Sequence, residues 1–151
     1  MIKLDAILKY DPQALTGNSD KMFKPWWLIG FVGGEVAEYY AWFLRKRTGI
    51  VLQRPAWGSH VSIVRGEAPP CNTEAWKRHD GQSIELEFDP SIRTNGAHWW
   101  LKVTCDSMLD IREELGLSRT HDFSLHLTLG RPTPLCQDAS NYYHEFFTNF
   151  V

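Results

Sequence analysis

Two stretches of this chain carry the same order of reactive side chains. "GSHVSIVRGE" (Gly58 to Glu67) and "FSLHLTLGRP" (Phe123 to Pro132) each hold a His, one apolar residue, a hydroxyl residue and more apolar residues, with an Arg five positions after the His. The triplets are His60-Val61-Ser62 and His126-Leu127-Thr128. Side chains alternate faces along a strand. His60 therefore shares a face with Ser62, and His126 with Thr128, while Val61, Ile63, Leu125, Leu127 and Leu129 take the opposite faces. A buried imidazole costs free energy unless it is satisfied, so the His faces are expected to line a groove. Two imidazoles and two hydroxyls converging there are equipment for general acid–base work on a phosphoester. A neutral His removes a proton from the attacking oxygen and a charged His protonates the leaving oxygen. An unperturbed pKa near 6.5 allows both states at neutral pH. The hydroxyls donate to non-bridging phosphate oxygens. A lone His-x-Thr is most often a satisfied core His; two triplets in matching surroundings favour catalysis. Arg65 and Arg131, at an odd offset from each His, fall off the His face in a regular strand, which favours structural ion pairs for them.

The elements that must position the triplets can be read from periodicity. "PWWLIGFV" reads as a buried strand. In "EVAEYYAWFLRKRTG", the residues Val36, Tyr39, Tyr40, Phe43 and Leu44 fall on one helical face. Arg45, Lys46 and Arg47 close that helix, and Gly49 suits the position after it. Strands follow around "IVLQRP" and "HVSIVRGE". "APPCNTEAWKRHDGQ" is polar and broken, hence a loop. "SIELEFDP" and "HWWLKVTC" read as strands, and "DSMLDIREELG" as a second helix, with Ser107 and Asp110 at capping-box spacing and Gly116 at its end. "FSLHLTLGRP" is the last long strand. The tail "NYYHEFFTNF" has helical spacing and reads as a docked helix or a lid. Strand, helix and His strand thus occur twice. This predicts one α+β domain over residues 1–151, with two lobes, each a small antiparallel sheet with a helix on its outer face.

Composition narrows the partners. The chain has 151 residues, net charge −2, 43% hydrophobic residues and seven Trp. A coat for long nucleic acid is normally basic, so a small anionic ligand fits better. Lys3, Asp5 and Lys9 interrupt the opening run, which lacks signal-peptide form, and no apolar run is long enough for a membrane span. Cys71, Cys105 and Cys136 form no C-x-x-C pair, as expected of reduced thiols in a cytoplasm. His98, Cys105 and His121 show no zinc-ligand spacing, so neither a metal nor another cofactor is expected. His98-Trp99-Trp100 reads as strand with core aromatics. Among the remaining aromatics, Tyr10, Trp76, Tyr142 and Tyr143 are candidates for stacking on bases; Trp76 stands in a polar loop, and Trp26 fits the core better.

On the two triplets and on "IREELGL…FSLHLTLGR", the sequence resembles the 2H phosphoesterase superfamily, named for two His-x-Ser/Thr motifs. Many relatives have Thr where Ser62 stands. The resemblance implies a bilobal fold with a central cleft and metal-independent cleavage of cyclic or 3′–5′ phosphodiesters. The opening "LDAILKYDPQALTGNSDKMFKPWW" is similar to the anti-CBASS branch of that superfamily, from tailed bacteriophages. That similarity implies cyclic di- and trinucleotide substrates, such as cyclic GMP-AMP and cyclic tri-adenylate, and action in the host cytoplasm. Two alternatives stand beside it: an enzyme opening 2′,3′-cyclic phosphates at RNA ends, and a protein that sequesters cyclic nucleotides without cleaving them.

Overall fold

The computed structural model describes residues 1–13, 25–120 and 124–133. Their order is β1 (Ile2–Tyr10), β2 (Trp27–Phe31), α1 (Gly34–Thr48), β3 (Leu52–Gln53), β4 (His60–Arg65), β5 (Ser83–Thr94), β6 (Trp99–Thr104), α2 (Asp106–Glu114) and β7 (His126–Pro132). The α+β class expected from the sequence is observed, and every strand pairing is antiparallel. The strands form one continuous sheet in the order β3-β7-β4-β2-β1-β5-β6, which β6 closes by pairing with β7. The ladder between β4 and β7 is a single pair, Val61 opposite Leu127.

β1 was not anticipated, although its residues alternate. Leu4, Ala6, Leu8 and Tyr10 turn inward while Lys3, Asp5, Ile7 and Lys9 turn out. α1 lies where the helical spacing put it, but it buries Ala37, Tyr40 and Leu44. Tyr39, expected on the buried face, is exposed, as is Trp42. The count of apolar residues overrated Tyr39, because the small Ala37 permits the closer approach to the sheet. Gly49 ends α1 with φ +78 and donates its N–H to the Arg45 carbonyl. α2 is capped by Cys105 with no side-chain cap bond, so the Ser107–Asp110 capping box does not form. Among the described residues, no helix is long and apolar enough to cross a membrane.

Each helix packs on the motif strand of the other half of the chain. α1 lies against β7, and α2 lies against β4. α2 carries a fully buried cation, Arg112. It donates to the Ile63 carbonyl (2.7 Å), to the Ser118 carbonyl (2.8 Å) and to both carboxylate oxygens of Glu67 (2.8 and 3.0 Å). Four of its five N–H donors are thereby used, which offsets the desolvation of a buried charge.

Near its end β7 runs through Gly130, at φ +148. A Cβ there would stand 2.3 Å from the Gln53 carbonyl oxygen, so both the backbone and the space demand glycine. Gly130→Ala is expected to destabilise the fold by more than the roughly 1–3 kcal/mol of a strained backbone position. Gly96→Ala, at φ +87 but in open space, should cost only the backbone part. Denaturant melts of the two variants check the difference; equal losses would show that the Gln53 contact is irrelevant.

Candidate active site

The Val61–Leu127 pair fixes how the two motifs meet. In antiparallel strands, paired positions move in opposite directions. His60 therefore falls across from Thr128, and Ser62 across from His126, all on the face opposite the buried Val61 and Leu127. The two imidazoles stand on a diagonal, a separation of about 7–8 Å between Cα atoms in a regular ladder. All four residues expected to do chemistry are thus brought together.

Both rings are held in the same way. His60 Nδ1 lies 2.8 Å from the Gly58 carbonyl oxygen, and His126 Nδ1 lies 2.8 Å from the Ser124 carbonyl oxygen. A carbonyl only accepts, so each Nδ1 carries the hydrogen, and Nε2 becomes the nitrogen that gains or gives up a proton. The two rings differ in environment. His60 is 8% exposed and His126 is half-buried. Burial pushes His60 below the usual histidine value. The Arg65 guanidinium and His126 push the same way, against the opposing effect of the bond to Gly58.

A tryptophan accompanies each motif. The Trp27 ring stands edge-on to His60, with centroids 5.7 Å apart, and its Nε1 donates to Ser62 Oγ at 3.4 Å. Because Ser62 Oγ accepts there, its own hydrogen is left for another acceptor. Trp57, half-buried, packs edge-on against Trp27 at 4.7 Å. In the other half, Trp100 pairs across the ladder with Thr128 and stands 6.2 Å from the His126 ring. The expectation that Trp99 and Trp100 are both core holds for Trp99, which is buried; Trp100 is half-buried on the His face.

The placement of the two arginines is a correction. Their odd offset excluded them from the His face only while the strands stayed regular, and both strands are bulged at the same position. On β4, Ile29 pairs with Ser62 but Leu28 pairs with Val64, so Ile63 is the extra residue. On β7, Trp100 pairs with Thr128 but Trp99 pairs with Gly130, so Leu129 is the extra residue. Each bulge stands three positions after its His. It buries two successive residues, Ile63-Val64 and Leu129-Gly130, and shifts the alternation by one. Arg65 and Arg131 return to the His side. Both are exposed, and neither has an ion-pair partner among the described residues. Their charges reach the site: Arg65 acts on His60, and Arg131 and Arg65 both act on His98. A Gly inside an apolar strand was a signal for the β7 bulge; β4 offered none.

The proposed base contacts are placed unevenly. Trp76 is half-buried, stands edge-on to Tyr10 (4.9 Å) and Trp26 (5.1 Å), and donates its Nε1 to Asp11 Oδ2 at 3.1 Å. Tyr10 is buried at 7% exposure, and burial drives its hydroxyl pKa up to about 12; its ring supports Trp76 and offers no open face. Trp26, expected in the core, is half-buried at φ +58. Tyr142 and Tyr143 lie outside the described residues, as do the tail that contains them, Cys136 and His121. Among the described residues, no three His, Cys, Asp or Glu side chains gather as metal ligands. Cys105 is buried and directs its thiol to the Glu85 carbonyl. No family model, curated protein or solved structure matches this chain.

The Arg65 charge adds to the effect of burial in lowering the His60 proton affinity. Arg65→Gln removes a cation that disfavours imidazolium, so the His60 pKa should rise while remaining held down by burial. Proton NMR titration of the His60 ring reads this directly. An unchanged or lowered pKa in the variant would place Arg65 away from the His face.

Proposed function

We propose that the protein is a 2H-type, metal-independent phosphodiesterase that cuts the 3′–5′ bonds of cyclic di- and trinucleotides. The observation that carries this reading is the twofold recurrence of one apparatus. Each half supplies a His with its Nδ1 tied to the carbonyl two residues before it, a hydroxyl beside it, a bulge three positions on and an Arg five positions on. In this reading the halves β4-β2-β1 and β7-β6-β5 serve as the two lobes, joined by the β1–β5 ladder and by the single β4–β7 pair.

In this mechanism His60 is the base and His126 the acid. The depressed proton affinity of His60 keeps it neutral at neutral pH, as a base requires. His60 Nε2 takes the proton of a ribose 2′-hydroxyl, whose oxygen forms a bond to the adjacent phosphorus. The bond from phosphorus to the 5′-oxygen breaks, and imidazolium His126 supplies that oxygen with a proton. Ser62 and Thr128 donate to the non-bridging oxygens, while Arg65 offsets their charge. The product is a linear oligonucleotide with a 2′,3′-cyclic phosphate. Reversed proton transfers then let water open that ring. Holding the 2′-hydroxyl beside the phosphorus supplies the proximity that bulk water lacks. The substrates are the defence signals of bacterial CBASS immunity, such as cyclic GMP-AMP and cyclic tri-adenylate, and the site of action is the host cytoplasm during infection.

Incubation with cyclic di- and trinucleotides in EDTA, followed by chromatography, should show linear products at an undiminished rate. Activity lost on chelation and restored by zinc or manganese would refute the metal-free assignment. His60→Ala and His126→Ala should each lower turnover by about 10²–10⁴-fold or more with the fold intact by circular dichroism, and Ser62→Ala and Thr128→Ala by less. A substrate with 2′-deoxyribose at the scissile linkage should bind and stay intact; its cleavage at the ribose rate would make water the nucleophile. The acid limb of the pH profile should lie below 6.5, because the base stays neutral down to its lowered pKa, and it should vanish with the activity in His60→Ala.

A further inference from the structure

β6 runs beside β7 with regular alternation. Trp99, Leu101 and Val103 are buried, and Trp100 and Lys102 turn to the other side with His98 before them. Lys102 pairs with His126, Trp100 with Thr128 and Trp99 with Gly130. One further step places His98 alongside Arg131. Successive residues of this strip are two positions apart, about 6.6–6.8 Å. An imidazole, an indole and a cation thus follow one another next to the motif strand.

The far end of the strip is firmly held. The His98 carbonyl accepts from Thr94 Oγ1 (2.8 Å) and from the Asn95 N–H (3.4 Å), and the His98 N–H donates to Asn95 Oδ1 at 2.9 Å. The tight turn after β5 therefore presents His98 from a fixed backbone. Its ring is exposed and stands in a positive field. Burial lowers its proton affinity first, and Arg131, His126 and Arg65 add to that. Such a field is unfavourable until an anion occupies it. A scissile phosphate engaged by His60 and His126 would neutralise only one end.

We propose that β6 forms the recognition surface for the part of the ring beyond the scissile phosphate, with Trp100 as the platform for a base and His98 and Arg131 as the seat of the next phosphate. This rests on the cyclic-nucleotide reading above and extends it. The indole of Trp100 stands next to His126 and Thr128, so a base stacked on it belongs to a nucleoside flanking the cleaved bond. Stacking tolerates any base, which suits a surface serving rings of different composition. A substrate with a single phosphate would gain nothing from His98.

The test uses the full chain and two ligands. The first is the 2′-deoxy cyclic dinucleotide, whose binding is measured by calorimetry. The second is a nucleoside 2′,3′-cyclic phosphate, which has one phosphate only. Trp100→Leu, which keeps apolar volume and removes the π-face, should weaken dinucleotide binding by about 5- to 150-fold, the magnitude of one stacked base. Trp100→Phe should restore most of it. His98→Ala should raise KM for a cleavable cyclic dinucleotide with kcat nearly unchanged, and should leave turnover of the 2′,3′-cyclic mononucleotide as in wild type. Equal binding by the Leu and Phe variants would overturn the platform. An equal effect of His98→Ala on both substrates would overturn the second phosphate seat. In either case cleavage by the wild-type protein would leave the phosphodiesterase reading standing. A wild-type protein that cuts no cyclic di- or trinucleotide would overturn both.

Discussion

The apposition of Val61 and Leu127 is the constraint on which the site depends. Both side chains are fully buried, and their pairing sets the register of two strands far apart in sequence. A slip of one residue would turn every side chain of a strand to the other face. The imidazoles would then enter the core, and Val and Leu would line the groove. Because this ladder holds at one pair only, its own hydrogen bonds cannot secure the register. Security comes from the flanking ladders of β4 with β2 and of β7 with β6, and from the crossed packing of the helices, each on the motif strand of the opposite half. Arg112 is the most specific of these restraints. Its guanidinium reaches the carbonyl of Ile63, the extra residue of the β4 bulge. Its charge is matched by both oxygens of Glu67. Breaking a buried pair of this kind typically costs about 3–5 kcal/mol, so α2, the bulge and the start of the following loop act as one unit.

The bulges convert a sequence period into a site. An unbroken strand would present His60, Ser62 and Val64 on one side and Arg65 on the other. With Ile63 inserted, Val64 joins the core and Arg65 comes back to the His face. The same change on β7 brings back Arg131. The cost is electrostatic, since cations and imidazoles are gathered where no carboxylate among the described residues pairs with the arginines. Burial does most to depress the proton affinities of His60 and His98, and these neighbouring charges lower them further. A chain of net charge −2 thus keeps a locally positive face, and its overall charge says little about the charge its His face prefers.

This also explains what the sequence could and could not tell. The two triplets, both helices and all the motif-bearing strands follow from short-range periodicity, and the structure has them. The burial face of α1 was misjudged because apolar spacing ranks Tyr39 above Ala37, whereas packing distance decides between them. The periodicity of β1 is also short-range: Leu4, Ala6, Leu8 and Tyr10 alternate with Lys3, Asp5, Ile7 and Lys9. The bulges were beyond the reach of a regular alternation rule. They depend on contacts of Ile63 and Leu129 with neighbours distant in sequence, and only Gly130 left a trace. The separation of Trp99 from Trp100 likewise needed the register between β6 and β7.

The resemblance of the two halves stops short of equivalence, and the proposed mechanism uses the difference. Two identical histidines would have the same proton affinity, and neither would be the preferred base. A proton must leave one nucleophile and reach one leaving group, so one ring has to favour each state. Burial provides the distinction. His60 sits under Trp27, which is itself packed against Trp57, and it is pushed toward the neutral form. His126 is half-buried, with the Trp100 ring 6.2 Å from its own. Each half contributes the same backbone tie at Nδ1, which fixes the geometry of both rings. In the proposed mechanism the unequal burial then separates their roles, so geometry comes from what the halves share and polarity of proton transfer from where they differ.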